Sequence, residues 1–346
     1  MAETRVLART EGALGHLTLD RPEALNALDL GMIRDLTAAL ERWRDDPGVH
    51  VVLLDGAGDR GLCAGGDVRG LYEQIVAGRP EDTGVFFREE YALNALIAEY
   101  PMPIVAIADG ITMGGGIGLA GHAAIRVVTE RSRLAMPETR IGFAPDVGGT
   151  WLLAHAPGRL GEYLGLTGAS MNAADAIHTG FADHLVPSDR LAELAASLSG
   201  GDPADAVRAA AQVPQASALD AARAWIDDAF AAGTVAEIVQ RLRRRPEAEA
   251  SATADTLESL SPTGLAATLA AVRRARELPD LRAALAQEYA VVLWFATSAP
   301  DLVEGIRAQL VDKDRSPRWN PATIADLDPG TGAAALAYRP RTPLWG

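Results

Sequence analysis

Three stretches combine residue types and spacing that suit carbonyl chemistry. They are Cys63-Ala64-Gly65-Gly66-Asp67, Gly114-Gly115-Gly116, and Met136-Pro137-Glu138 with Asp146 eight positions further on. Glycines between a strand and a helix leave backbone N–H groups bare at the positive end of the helix, where they suit an anion or a developing oxyanion. Two such loops on neighbouring strands can each offer one N–H to a single carbonyl oxygen. An ester or thioester held in this way is polarised, and enolate or tetrahedral charge on its oxygen is stabilised. One donor of this kind contributes about 3–4 kcal/mol to a transition state. A glutamate beside such a pocket is a candidate base or nucleophile, and a second carboxylate can hold water or raise its neighbour's pKa. Each stretch also has an ordinary structural reading. The glycine runs can be tight turns, Glu138 after Pro137 suits a helix first turn, and Asp146 suits the cap of a helix through Thr150-Trp151-Leu152-Leu153.

Other chemistries find little support. Gly116, Gly118 and Gly121 satisfy G-x-G-x-x-G. The dinucleotide fingerprint must open a helix straight after a strand. Here six residues separate Ala108 from Gly115 and the motif glycines fall inside the helix, which sets nicotinamide binding aside. The histidines, His16, His50, His122, His155, His178 and His184, form no H-x-x-x-H pair, so no metal site is expected. His122 reads as a core residue. Cys63, the single cysteine, excludes an internal disulfide framework and a cysteine-based zinc site. No G-x-S-x-G elbow offers a serine nucleophile, and Lys313 is the only lysine.

The elements that must position these residues follow from periodicity. Residues 14–19 alternate as a strand, while 51–54, 104–108 and 125–129 are apolar runs of the kind found in buried strands. Met32, Ile33, Leu36, Leu40 and Trp43 keep helical spacing until Asp45-Asp46-Pro47-Gly48 ends it, and a helix is expected from Ile117. Strands alternating with helices predict a layered α/β core over 1–190. Residues 191–346 are alanine-rich and helical, with a capping box at Thr234 and Glu237 and a Ser261-Pro262 helix start. The 346 residues carry 32 basic and 46 acidic side chains, a net charge of −14 that argues against nucleic acid as partner. The Arg241, Arg243, Arg244 and Arg245 cluster precedes Pro246, where cations complement a helix C-terminus. The start, Met1-Ala2-Glu3-Thr4-Arg5, has no apolar segment, and 289–300 is too short to span a bilayer. A soluble, cytoplasmic protein is expected.

Asp20-Arg21-Pro22-Glu23-Ala24-Leu25-Asn26-Ala27-Leu28, Cys63-Ala64-Gly65-Gly66-Asp67 and Gly114-Gly115-Gly116 together resemble the crotonase (enoyl-CoA hydratase/isomerase) superfamily. Phe86-Phe87-Arg88-Glu89-Glu90-Tyr91, Ile111-Thr112-Met113-Gly114-Gly115-Gly116, Met136-Pro137-Glu138-Thr139, Pro145-Asp146-Val147-Gly148-Gly149 and Val311-Asp312-Lys313-Asp314-Arg315-Ser316-Pro317-Arg318-Trp319 resemble its 3-hydroxyisobutyryl-CoA hydrolase family. The likeness runs from about residue 5 to about residue 325. It implies an α/β crotonase-like (ClpP/crotonase) spiral of ββα units, with a helical C-terminal region closing an acyl-CoA site. It also implies an oxyanion hole from the amides of Gly66 and Gly115. Of the two catalytic glutamates of hydratases, one matches Glu138 and the other falls at Gly118, which has no side chain. The hydrolases instead place their second acid at Asp146 and a substrate-contacting glutamate at Glu90. The resemblance therefore implies thioester hydrolysis with no cofactor, coenzyme A being part of the substrate, and a trimer-based homo-oligomer. The competing readings are a hydratase or isomerase on the same fold and an acyl-CoA-binding protein without turnover.

Overall fold

The computed structural model describes residues 5–346; residues 1–4, on which the reading of the N-terminal start rests, lie outside the described residues. The chain divides into two compact units. One runs up to Gly66 and takes in Glu89–Ala135 and Ser170–Ala218; the other comprises Asp67–Arg88, Met136–Ala169 and Leu219–Gly346.

The first unit is built on β1 (Val6–Glu11), β2 (Leu14–Leu19), β3 (Val51–Gly56), β4 (Ile104–Ala108), β5 (Ile111–Met113), β6 (Ile125–Val128), β7 (Arg133–Ala135) and β8 (His184–Leu185). A six-stranded sheet has the order β1-β2-β3-β4-β6-β8. Its β1–β2 pair is an antiparallel hairpin and every other pair is parallel, in the registers Leu14↔Val51, Val52↔Ile104, Val105↔Ile125 and Val127↔His184. The apolar runs read from the sequence are β3, β4 and β6; β4 is buried throughout, β3 over Val51–Leu54 and β6 at Val127 and Val128, as central parallel strands require. One face packs Leu14, Leu53, Val105 and Val127 against Leu194, Leu198 and Val207. Helices Leu191–Ser197 and Pro203–Ala210, which continue the alanine-rich texture of the C-terminal part, thus belong to the sheet's core. Helix Leu30–Arg44 buries its expected stripe and is capped by Asp29, which accepts from the Met32 amide at 2.9 Å.

β5 and β7 form a separate parallel pair. Helix Gly115–Ala120 follows β5 and starts two residues before the expected Ile117, because Gly114 already turns the chain at φ +47°.

The second unit is helical. Trp225, Ile226, Phe230, Ile238, Leu242, Leu257 and Leu265 form its main apolar cluster. The capping box forms as expected: the Thr234 amide donates to Glu237 at 3.0 Å, and the Glu237 amide donates to Thr234 Oγ1 at 3.2 Å. Ser261 Oγ accepts from the Gly264 amide at 2.9 Å. The arginine cluster is engaged locally, Arg243 with Asp255 and Glu258 and Arg245 with Asp228 and Glu247. Arg241 and Arg243 lie in the last turn of helix Val235–Arg243, where cations complement the helix dipole. Among the described residues no helix is long and apolar enough to cross a membrane, and no group of three His, Cys, Asp or Glu side chains is placed to hold a metal ion.

Candidate active site

The sequence-derived residues fall into two constellations, one in each unit. In the first unit, the segment after β3 is tied to the loop at residues 20–28. Asn26 Nδ2 donates to the carbonyls of Ala57 at 3.0 Å and Gly61 at 3.2 Å, while its Oδ1 accepts from the Arg21 amide at 2.9 Å. The Leu28 amide donates to Gly65 O at 2.9 Å and the Ala64 amide to Leu25 O at 3.0 Å. On the other side the segment is zipped to β5. Met113 N donates to Cys63 O at 2.9 Å, and Cys63 N to Ile111 O at 3.2 Å.

These two sets of bonds bring Gly66 and Gly115 together. A methyl group placed on Gly115 would stand 3.3 Å from the Gly66 nitrogen and 2.6 Å from Glu90 Oε1. Gly65 makes the approach with φ +108°, a conformation that a side chain would strain. Gly115 opens its helix, so its N–H has no acceptor within that helix. Glu90, in helix Thr83–Ala98, is buried beside this pair. Cys63 is fully buried, and its thiol is pushed up to about 12, chiefly by burial and further by the charge of Glu90. It carries no thiolate at neutral pH.

The second constellation is acidic. Pro137 precedes a 3-10 turn, Glu138–Ile141, that places Glu138 at its start as expected. The Phe143 amide donates back to Glu138 O at 3.1 Å, and Thr139 Oγ1 donates to Leu166 O at 3.1 Å, fixing the turn. Glu138 is buried, and its Oε2 has no hydrogen-bond partner. Burial, the charge of Asp146 and then that of Glu288 push its carboxyl well above the ordinary range. Asp146 is buried as well.

Asp146 does not cap the helix that follows. Helix Gly149–His155 has Gly148 at its N-cap and no capping side chain of its own. Its free amides are taken by Glu288, from helix Leu281–Ser298. Gly148 N donates to Glu288 at 2.6 Å, Thr150 N at 2.8 Å and Thr150 Oγ1 at 2.5 Å. Burial pushes Glu288 to about 8 against the pull of the Thr150 and Gly148 donors, and Asp146 adds to the rise.

The structure therefore groups Gly66, Gly115 and Glu90, and separately groups Glu138 and Asp146. Glu288 is the residue that sequence reasoning missed. Its signal was a lone acid within the apolar run of helix Leu281–Ser298. The arginines beside the loops are occupied by carbonyls: Arg21 donates to Ala27 O at 3.1 Å, Arg60 to Glu23 O at 3.1 Å, and Arg69 to Leu310 O at 3.4 Å.

Residues 14–335 match the family described as enoyl-CoA hydratase/isomerase. The chain is 40% identical over 337 residues to the mitochondrial 3-hydroxyisobutyryl-CoA hydrolase of Danio rerio, covering 94% of this chain and 87% of that protein. Among solved structures it is similar to a carnitinyl-CoA dehydratase from Mycobacterium thermoresistibile, with a TM-score of 0.94 and 46% identity, covering 99% of this chain and 98% of that one. It is also similar to an enoyl-CoA hydratase from Rhodobacter sphaeroides 2.4.1, with a TM-score of 0.92 and 42% identity, covering 99% of each chain.

Proposed function

The chain belongs to the enoyl-CoA hydratase/isomerase family, and we propose that within it the protein is an acyl-CoA thioester hydrolase. Its substrate is 3-hydroxyisobutyryl-CoA, with 3-hydroxypropionyl-CoA as a second one, and its products are the free hydroxy acid and coenzyme A. The reading places the reaction in valine catabolism. The observation that carries it is the pair of buried acids, Glu138 and Asp146, with Glu138 raised by burial and then by its neighbour. Hydratases of the family use a second glutamate at the position of Gly118, which here is a buried glycine inside helix Gly115–Ala120. The hydrolase name of the Danio rerio relative, over 94% of this chain, supports the same reading.

In this mechanism the thioester oxygen accepts the N–H groups of Gly66 and Gly115, and Glu90 meets the 3-hydroxyl group. Ionised Glu138 then attacks the carbonyl carbon. The tetrahedral adduct expels coenzyme A, which leaves as the thiol after taking a proton, and water cleaves the resulting mixed anhydride. In the alternative route Glu138 takes a proton from water, which attacks directly. Asp146 orients the water or Glu138 and assists proton transfer. No cofactor takes part. Residues 1–190 carry the acyl-CoA site, and the protein is a trimer-based homo-oligomer. The reading includes a cytoplasmic location, although the Danio rerio relative is described as mitochondrial.

The second reading, hydration or dehydration, is favoured by the names of the two similar solved structures. Crotonyl-CoA and 3-hydroxyisobutyryl-CoA assayed side by side for free thiol separate the two. Release from the hydroxyacyl thioester is expected, and hydration of crotonyl-CoA without thiol release from either would overturn the hydrolase reading. Single turnover in ¹⁸O-water distinguishes the routes, because only the anhydride leaves label in Glu138.

A further inference from the structure

Helix Leu281–Ser298 buries one acid, Glu288, on a face otherwise made of Leu285, Val292 and Phe295. A carboxylate in such a place is costly unless donors surround it. Three do, all from Gly148 and Thr150, at 2.5–2.8 Å. A serine or aspartate at the N-cap would satisfy the same helix end without burying a charge from 140 positions away. What the distant carboxylate adds is a fixed place for the turn itself.

That turn is strained. Val147 has φ +54° and Gly148 φ +77°, so two successive left-handed residues separate Asp146 from the helix. A β-branched residue rarely adopts this conformation, and such outliers persist only where the surroundings over-determine them. Val147 is nonetheless buried to 1% exposure. The Gly149 amide closes the turn on the Asp146 carbonyl at 2.6 Å. Asp146 and Glu138 are both buried acids, and the charge of Asp146 adds to the rise of Glu138, so the backbone on which each stands sets their coupling.

We propose that Glu288 is a positioning residue for thioester hydrolysis: it clamps the strained Asp146–Val147–Gly148 turn and so keeps Asp146 in working register with Glu138. The inference rests on the hydrolase reading above. Glu288 touches no reacting atom in this account; it acts through the placement of Asp146, and its own charge adds to the rise of Glu138.

Assayed above about pH 8, where Glu288 is ionised and accepts from all three donors, Glu288→Gln keeps the size of the side chain but turns an amide N–H₂ toward one of them, so one clamp breaks. Displacement of a reacting group by about 1 Å can cost 100-fold. With 3-hydroxyisobutyryl-CoA as probe, kcat per mole of folded protein is expected to fall about 10–100-fold. KM stays within about threefold, because no substrate contact is lost. Thr150→Val removes only the Oγ1 donor and gives a smaller fall in kcat, and Thr150→Ser, which keeps the hydroxyl, recovers it. A role confined to stability would lower the melting temperature and the folded fraction but leave kcat per folded molecule unchanged. The inference is overturned if Glu288→Gln keeps kcat within twofold, or if its whole effect appears in KM. Should that variant not fold, full kcat in Thr150→Val overturns it instead. A wild-type protein that releases no thiol overturns the hydrolase reading and this inference with it. An active wild type with an indifferent clamp overturns this inference alone.

Discussion

Replacing Gly115 by alanine tests the paired amides directly. Gly115 is the first residue of a helix, so alanine is compatible with its backbone. The new methyl would stand 2.6 Å from Glu90 Oε1, 3.2 Å from Leu28 Cδ1 and 3.3 Å from the Gly66 nitrogen. An oxyanion must sit 2.7–3.1 Å from each donor nitrogen. A carbon 3.3 Å from Gly66 N crowds the space beside that donor, and Glu90 must swing aside as well. One donor is lost to the transition state, which costs about 3–4 kcal/mol, or about 10²–10³ in kcat/KM. The assay is continuous thiol release from 3-hydroxyisobutyryl-CoA, with a thermal melt on the same preparation. The melting temperature should stay within a few degrees of wild type. A folded Gly115→Ala protein with kcat/KM within threefold of wild type would show that these amides do not hold the reacting oxygen.

Glu138→Gln should lower kcat by about 10²–10⁴-fold while raising the melting temperature at pH 8 but not at pH 4, because it removes a buried carboxyl whose charged form is disfavoured; near-native turnover would remove Glu138 from the chemistry. Global stability should fall as pH rises. The folded state holds a proton on Glu288 up to about 8, whereas the unfolded chain releases it near 4.5, so stability is full below 4.5 and declines toward pH 8. Denaturant titrations at pH 5 and pH 8 should show a shallower slope in Glu288→Gln, with Glu138, whose carboxyl is also raised by burial, supplying the remainder. A slope equal in both proteins would contradict the burial argument. Gly161→Ala should cost more than about 3 kcal/mol, since the methyl would overlap the Leu153 carbonyl oxygen and neither backbone can yield; an unchanged urea midpoint would refute the packing.

What was legible in the sequence is what local physics writes there. β3, β4 and helix Leu30–Arg44 are long enough for hydrophobic period and stop signals to speak. β5 and β7 have three residues each and β8 two, too few to show any period. β1 is an edge strand whose residues are exposed after Val6, so it carries no apolar pattern. The placement of Glu138 after Pro137 is local and was read correctly. Asp146 as a helix cap was an equally local reading, and it failed because Glu288, from another helix, takes those amides. Likewise nothing near Gly66 announces Gly115: the bonds joining Cys63 to Ile111 and Met113 bring the two loops together. The glycine runs suggested that two loops could share one oxygen, and the motif resemblance named Gly66 and Gly115 as the donors.

Hydrolysis of this kind would release a free sulfhydryl at every turnover, and oxidised coenzyme A attacks exposed thiolates by disulfide exchange. The only cysteine, Cys63, is sealed in the interior and stays protonated up to about pH 12. The protein therefore cannot form a mixed disulfide with its own product while folded. The same property lets an electrophilic aromatic disulfide titrate the liberated thiol in the cuvette without marking the enzyme.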